Sequence, residues 1–323
     1  MRPRVLVTLQ IPEDHISDSL SGSADLIVAK GPLSAMQRAE AIEAARDVDA
    51  IINHGELRID GELLDVAKRL RVVSNVAIGT DNFDINELSR RGLWATNAPD
   101  SFTEATADVT MGLLLGVARK LGEADRYVRS EQWESDGIQP RRWEGTLLQD
   151  KVLGMVGFGA IGRAVARRAE AFGMQVVFNR SQPDPDPRYR ELDRLLAEAD
   201  FVSLHTPLTD ATRHLMNRDR FALMKPGSVF INMARGKVVD EAALVEALNS
   251  GHLGGAGLDV FEVEPQVHPS LLPMENVMLC PHIGGSAVEA RRHARLLACD
   301  NVARVLRGHR PLTPVNEPVL PKR

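Results

Sequence analysis

Cysteine is scarce in this chain of 323 residues: Cys280 and Cys299 are the two present. Their spacing fits neither a metal motif nor a disulfide framework, and it agrees with a reducing compartment such as the cytoplasm. No apolar run approaches the roughly 18 residues that a bilayer span needs, and no signal-peptide pattern is visible. The expectation is a cytoplasmic protein with no membrane partner. An excess of positive charge is missing too, since a net charge of −5 argues against a nucleic-acid surface. The arginine-rich stretches Arg163 to Arg168 and Arg291 to Arg295 read as solvated helix faces. Low-complexity segments are absent, and no repeat is visible beyond two α/β units. What is there is ordinary for a globular protein, 44% hydrophobic and 26% charged, in a length that permits two domains with cores of their own.

One more absence bears on chemistry. Gly157-Phe158-Gly159-Ala160-Ile161-Gly162 is a dinucleotide fingerprint in the right context. It follows the apolar run Lys151–Val156 and opens a segment in which Ile161, Val165, Ala169 and Phe172 recur at helical spacing, with Gly173 at the expected C-cap. A second apolar run, Gln175–Phe178, ends at Asn179. Gly157 allows the tight turn, Gly159 lets backbone approach a pyrophosphate, and Gly162 lets helix and strand pack closely. The helix N-terminus supplies unpaired N–H groups and partial positive charge. The acid that would hydrogen-bond the free ribose 2′-hydroxyl of NAD is not there. The sequence reads Asn179-Arg180-Ser181 instead, and an arginine between two neutral polar residues suits the 2′-phosphate of NADP. NADP(H) is the expected cofactor, with NAD bound less tightly. An Arg180 spent on a surface salt bridge would leave that preference open.

The first hundred residues alternate strand-like runs (Val5–Leu9, Asp25–Val28, Ala50–Asn53, Val72–Val76, Trp94–Asn97) with helical stretches such as Met36–Ala45 and Asp84–Arg91. A helical segment capped by Thr103 follows, running to about Ser130 with Leu113, Leu114, Leu115 and Val117. A polar, tryptophan-bearing arm occupies Glu131 to Gly145. The second α/β unit starts at Lys151, with strands near Phe201–His205, Val229–Asn232, Ala256–Val260 and Val277–Cys280. A last helix, Ala287 to about Leu306, precedes a proline-spotted tail, Pro311 to Pro321. The fold class expected is α/β, two Rossmann-like or flavodoxin-like parallel-sheet domains with the active site in the cleft between them. Pro207 and Asp259 follow strands of the second unit, at the carboxyl edge where ligands bind in such sheets.

Three features after the fingerprint look chemical. Phe230-Ile-Asn-Met-Ala-Arg235-Gly236 ends a very apolar strand in an arginine, which either faces solvent or waits for an anion. A guanidinium can grip a carboxylate with two charge-assisted hydrogen bonds. Leu258-Asp259-Val-Phe-Glu262-Val-Glu264-Pro265 places several carboxylates directly after a strand. Cys280-Pro281-His282-Ile-Gly284-Gly285-Ser286 sets a histidine on a glycine turn. Reduction of a carbonyl needs a hydride donor and a proton donor, and histidine is the best proton donor near neutral pH. A carboxylate partner would favour the imidazolium and fix the ring. Composition does not say whether Glu262 or Glu264 is that partner, nor whether His282 is more than structural.

Together, Gly-Phe-Gly-Ala-Ile-Gly, Asn-Met-Ala-Arg-Gly-Lys-Val-Val-Asp-Glu-Ala-Ala-Leu, Gly-Leu-Asp-Val-Phe-Glu-Val-Glu-Pro and Pro-His-Ile-Gly-Gly-Ser resemble the D-isomer-specific 2-hydroxyacid dehydrogenase family, over essentially the whole chain. Gly79-Thr-Asp-Asn82 and Thr103-Glu-Ala-Thr-Ala-Asp108 belong to the likeness, which is strongest to the glyoxylate/hydroxypyruvate and 2-ketogluconate reductases. The resemblance implies NADPH-dependent reduction of a small 2-oxo acid to the D-2-hydroxy acid. It gives Arg235 the substrate carboxylate and carbonyl, His282 the role of general acid, and Glu264 that of its partner. It implies substrate contacts from Ala77, Ile78 and Gly79, with Trp143 either reaching a partner subunit's site or packed in a homodimer contact. Cofactor contacts are implied for Val76, Thr106, the glycine run 157–162, Asn179 to Ser181, His205, Thr206, Pro207, Met233, Ala234, Arg235, Asp259, His282 and Gly284. The implied substrate domain is 1–100 plus 287–323. The implied NADP-binding domain is 101–286, with a dimerisation helix and arm at 103–145. Gly285 departs from the serine of many relatives.

Two rivals share the fold. The phosphite dehydrogenases resemble this chain at Thr80-Asp-Asn-Phe-Asp84 and Gly308-His-Arg-Pro-Leu, but carry a lysine where Ile78 stands, and an apolar side chain there suits a monocarboxylate. Dinucleotide-sensing corepressors keep a similar triad without turnover, so the triad alone does not exclude them.

Overall fold

The computed structural model describes residues 2–29 and 35–318. It divides into two compact units, Met1–Phe102 with Ser286–Arg323, and Thr103–Gly285.

The first unit is built on a parallel sheet of β1 (Arg4–Val7), β2 (Asp25–Val28), β3 (Ala50–Asn53), β4 (Val72–Asn75) and β5 (Trp94–Thr96), in the order β2-β1-β3-β4-β5. β3, β4 and β5 are buried along their whole length because helices cover both faces, which is why they read as continuous apolar runs. Asp60 and Asp84 cap two of the short helices, accepting from Leu63 N and Glu87 N. The long helix Val288–Leu306 packs on β3 and β4 through Ala294, Ala298 and Val302. After it the chain lies along β5, where Ala95 N donates to Asn316 Oδ1 at 2.8 Å. Residues 319–321 of the expected proline-spotted tail lie outside the described residues.

The second unit carries β6 (Val152–Val156), β7 (Gln175–Asn179), β8 (Phe201–Leu204), β9 (Ser228–Asn232), β10 (Leu253–Leu258) and β11 (Val277–Leu279), all parallel in the order β11-β10-β9-β8-β6-β7. Strand order reverses between β6 and β8, so a crevice opens at their carboxyl ends. One face is covered by a core around Leu195, Val202, Phe230 and Leu244. The other is covered by the helices Thr103–Ala118 and Ala160–Ala171, around Leu113, Met155 and Val165. The second of these helices stops as its sequence predicts. Gly173 takes φ 77°, its N–H donates to Glu170 O, and Met174 N reaches back to Ala169 O.

Three expectations need correction. The helix from Thr103 to about Ser130 is two helices, Thr103–Ala118 and Leu121–Arg129, broken where Lys120 adopts left-handed geometry at φ 56°. Lys120 Nζ donates to Arg142 O at 2.9 Å, a tertiary contact that local spacing does not reveal. Thr103 is not the cap: its hydroxyl is buried without a hydrogen-bond partner among the described residues. Finally, each arginine-rich stretch is solvated only in part: Arg163, Arg167 and Arg292 are exposed, whereas Arg168, Arg291 and Arg295 are half-buried.

Candidate active site

Every chemical feature of the second unit arrives at the carboxyl ends of its strands. Gly157 ends β6 at φ 97°, and a Cβ there would stand 2.5 Å from His205 O. A Cβ on Gly162 would stand 2.5 Å from Gly157 O, so helix and turn are in backbone contact. Gly159, the N-cap of Ala160–Ala171, faces open space with nothing within 4 Å of an added Cβ. Two glycines are therefore required by close packing, and the third leaves room beside the helix N-terminus where a pyrophosphate is bound in such turns. The residues present fit a dinucleotide.

At the end of β7, Asn179 Nδ2 donates to Arg190 O (2.9 Å), and Ser181 is exposed. Arg180 is paired with Asp184 at 2.9 Å, the surface salt bridge that leaves the cofactor preference open. The ring of His205 is turned to Ser203 of β8. It is buried, with Nε2 2.8 Å from Ser203 Oγ and Nδ1 without a partner among the described residues. Its backbone, not its side chain, meets the glycine turn. Burial holds its pKa down at about 3, against an ordinary 6.5. As pH falls below about 6.5 only the unfolded chain takes up this proton, so stability declines until pH reaches about 3. Between neutral pH and about 4.5 the loss from this one group is on the order of 2 to 3 kcal/mol. His205→Asn should flatten the fall of the urea midpoint over that range; identical pH slopes would remove this role.

At the end of β9, Asn232 turns the chain. Its Oδ1 accepts from Ala234 N (3.0 Å) and its Nδ2 donates to Arg235 O (3.2 Å). Met233 and Ala234 are buried, and Arg235 Nη1 reaches Ala234 O. Gly236 follows with its α-carbon against the backbone after β10, where a Cβ would fall 1.8 Å from Phe261 O.

The two candidate glutamates separate here. Glu264 Oε2 lies 2.9 Å from His282 Nδ1, and its Oε1 accepts from Phe261 N. Glu262 turns away to His214 Nε2 at 2.6 Å. Burial works against ionisation of Glu264, but the hydrogen bonds from His282 and Phe261 N, with the nearby charges of His282 and Arg235, outweigh it. The carboxyl is held below its ordinary range. His282 sits at φ 55° in a turn that Asp259 clamps: Oδ1 accepts from Ile283 N and Oδ2 from Gly284 N, both at 2.7 Å. Asp259 is nearly fully buried, and that burial pushes its carboxyl upward against the pull of these donors and of His282. A Cβ on Gly284 would approach Asp259 Oδ2, Met233 Cε and Thr106 Cγ2 to between 3.0 and 3.5 Å, so these four positions form one cluster. Asp259, expected to face a ligand, is first of all the anchor of the histidine turn. That role is not legible from spacing. Thr206 and Pro207 follow β8, Pro207 exposed with its carbonyl accepting from Thr212.

In the first unit, the loop after β4 presents an array of donors. The carbonyls of Ala77, Ile78 and Gly79 accept from Ala98 N, Asn97 Nδ2 and Asn75 Nδ2. The N–H groups of the same three residues find no acceptor among the described residues. Successive N–H groups left open in a loop form a site for an anion. Val76 is tied beneath them, donating to Asn53 O at 2.6 Å. Trp143, in the short helix Pro140–Trp143, packs edge-on against Tyr127 of its own arm at 5.0 Å, with Arg142 over both rings.

Known proteins carry the same pattern. The D-isomer specific 2-hydroxyacid dehydrogenase, NAD binding domain, matches residues 111–284. A glyoxylate reductase of Thermococcus onnurineus is 43% identical, with 99% of this chain and 98% of that protein aligned. One of Pyrococcus furiosus is 42% identical, over 99% and 97% of the two chains. The crystal structure of an NADPH-dependent glyoxylate/hydroxypyruvate reductase from Sinorhizobium meliloti, in complex with NADP and malonate, superposes with a TM-score of 0.87. It is 34% identical, and the match covers 100% of this chain and 99% of that one. Among the described residues no helix is long and apolar enough to cross a membrane. With its glycine turn and its histidine–glutamate pair at the carboxyl edge of a parallel sheet, this chain belongs to the D-isomer specific 2-hydroxyacid dehydrogenase family of oxidoreductases.

Proposed function

We propose that the protein reduces a small 2-oxo acid (glyoxylate, hydroxypyruvate or 2-ketogluconate) to the D-2-hydroxy acid, with NADPH preferred to NADH. The observation that carries this reading is the 2.9 Å contact between His282 and Glu264, beside the Arg235 turn. A carboxylate can only accept, so Nδ1 of His282 is the donor to Glu264 and Nε2 is left for the substrate. When bound, the dinucleotide supplies the hydride. His282 then gives the proton at Nε2 to the carbonyl oxygen, and Arg235 grips the substrate carboxylate and polarises the carbonyl. The open N–H groups of Ala77, Ile78 and Gly79 are assigned to a substrate carboxylate. Thr106, Met233, Asp259 and Gly284 are assigned to the nicotinamide end. Glyoxylate reductases among the relatives support the substrate class.

Steady-state oxidation of NADPH with the three acids tests the reading. Turnover of none, alongside tight cofactor binding, would overturn it in favour of a dinucleotide sensor. We assign the arm at 103–145 to a homodimer contact, supported by the exposed apolar side chains Leu121, Val128, Trp133 and Ile138 on it; a monomer in sedimentation would end that assignment.

The cofactor preference rests on Arg180, whose exposed pair with Asp184 is readily exchanged for a phosphate. Arg180→Ala should lower kcat/KM for NADPH by about 10- to 100-fold, since a charged hydrogen bond contributes ~1.5–3 kcal/mol. NADH should change little. An unaltered NADPH/NADH ratio would count against the assignment.

A further inference from the structure

Two acids follow β10, and the reaction as read above uses one of them. Glu262 is left over, with a histidine of its own: its Oε1 lies 2.6 Å from His214 Nε2. His214 belongs to the loop after β8 and Glu262 to the loop after β10. β9 runs between those two strands, so the pair joins the loops that flank the one carrying Arg235. It is bonded to that middle loop as well. His214 N donates to Lys237 O at 2.9 Å, and Glu241 N donates to Glu262 Oε2 at 3.4 Å. Two residues beyond His214, Met216 N donates to Val238 O and Met216 O accepts from Asp240 N. Residues 237–241, directly after the arginine turn, are thus held from both sides.

Stability does not account for the pair. Side chains that are 42% and 28% exposed gain little from a single ion pair. Its surroundings are unfavourable besides. His214 takes φ 48°, left-handed backbone that a residue with a Cβ adopts at a cost and keeps where the contacts around it hold it. Glu262 also crowds a second acid: burial first, then the charge of Glu262, pushes the Glu241 carboxyl up. Position accounts for the pair better. Between Glu262 and the Arg235 turn lies the Phe261–Glu262 peptide, whose carbonyl would stand 1.8 Å from a Cβ on Gly236. The N–H of the same Phe261 fixes Glu264 Oε1 at 3.0 Å. A shift of Glu262 is therefore passed to Gly236 on one side and to Glu264 on the other.

We infer that Glu262 and His214 are positioning residues for the reduction, a strap across the loop after β9 that sets Arg235 against the Glu264–His282 pair. The inference rests on the 2-oxo acid reductase reading. Neither residue touches substrate or moves a proton in the reaction: hydride still goes to carbon, and the proton still comes from His282. They act through Arg235.

A double-mutant cycle on the full chain, with glyoxylate and NADPH, tests this. Glu262→Ala should lower kcat/KM for glyoxylate about tenfold, through kcat and KM together, as expected for a displaced Arg235. His214→Asn keeps a residue that tolerates left-handed backbone, and should lose as much. The double variant should lose no more than either alone. Glu262→Gln retains an acceptor for His214 and should stay within about threefold of wild type. In the Arg235→Ala background, Glu262→Ala should cost less than about twofold, because the residue it positions is gone. NADPH affinity, read by fluorescence titration, should hold within about twofold throughout. Full additivity with Arg235→Ala would overturn the inference, as would wild-type kcat/KM in Glu262→Ala or a fall in NADPH affinity that matches the fall in turnover. If Glu262→Ala does not fold, His214→Asn alone and in the Arg235→Ala background carries the same comparison. A wild-type protein that reduces no 2-oxo acid would overturn the reading beneath, whereas wild-type turnover with an additive cycle would overturn the strap alone.

Discussion

His282→Asn should lower kcat for 2-oxo acid reduction by about 10²- to 10⁴-fold, the usual contribution of a positioned general acid. Asparagine is the better probe than alanine here. His282 sits in left-handed backbone, which asparagine tolerates, and its turn is held from outside by the two Asp259 oxygens. The loss should therefore be one of chemistry, with the turn intact and NADPH binding changed by no more than about twofold by fluorescence titration. Glu264→Gln should fall between wild type and His282→Asn, because an acceptor for Nδ1 survives while the charge opposite the imidazolium does not. Turnover of His282→Asn within tenfold of wild type would take the proton-donor role away from this residue.

Much of this was legible from order and spacing alone. Strands such as β3, β6 and β9 fall within a few residues of the expected runs, because strands buried on both faces need no alternation and stand out as apolar stretches. The glycine turn was legible because each glycine meets a different steric demand, and at two of them an added Cβ would stand 2.5 Å from a backbone oxygen. The choice between Glu262 and Glu264 was not. Both follow the same strand, and what separates them is the local path of the backbone, which sends one to His214 and the other to His282. The break at Lys120 was hidden for a similar reason: no proline marks it, and the contact from Lys120 to Arg142 is made across 22 residues of sequence. Least visible was the half-buried state of Arg291 and Arg295. An arginine-rich helical stretch is usually a wet face, and only the packing of the last helix on β3 and β4 shows that Arg291 and Arg295 are half-buried while Arg292 stays exposed.

Arg235→Ala should raise KM and lower kcat together, with kcat/KM down about 10²- to 10⁴-fold if two charged hydrogen bonds of ~1.5–3 kcal/mol each are lost. The joint effect follows from one group serving both ends of the 2-oxo acid: grip on the carboxylate is felt in the ground state, polarisation of the carbonyl only as charge develops on oxygen. The backbone around it argues that the position is built. Asn232 closes the turn onto Arg235 O, and Gly236 presses against Phe261 O, the same residue whose N–H holds Glu264. Arginine turn and glutamate thus share one backbone junction. For that reason Gly236→Ala should damage turnover even though glycine 236 touches no substrate. Arg235→Lys should recover little, because an ammonium lacks the planar fork. Free guanidinium added to Arg235→Ala should restore part of kcat/KM, while leaving Gly236→Ala unimproved. A rise in KM at constant kcat would reduce Arg235 to a binding residue, and no change in either would remove it from the reaction.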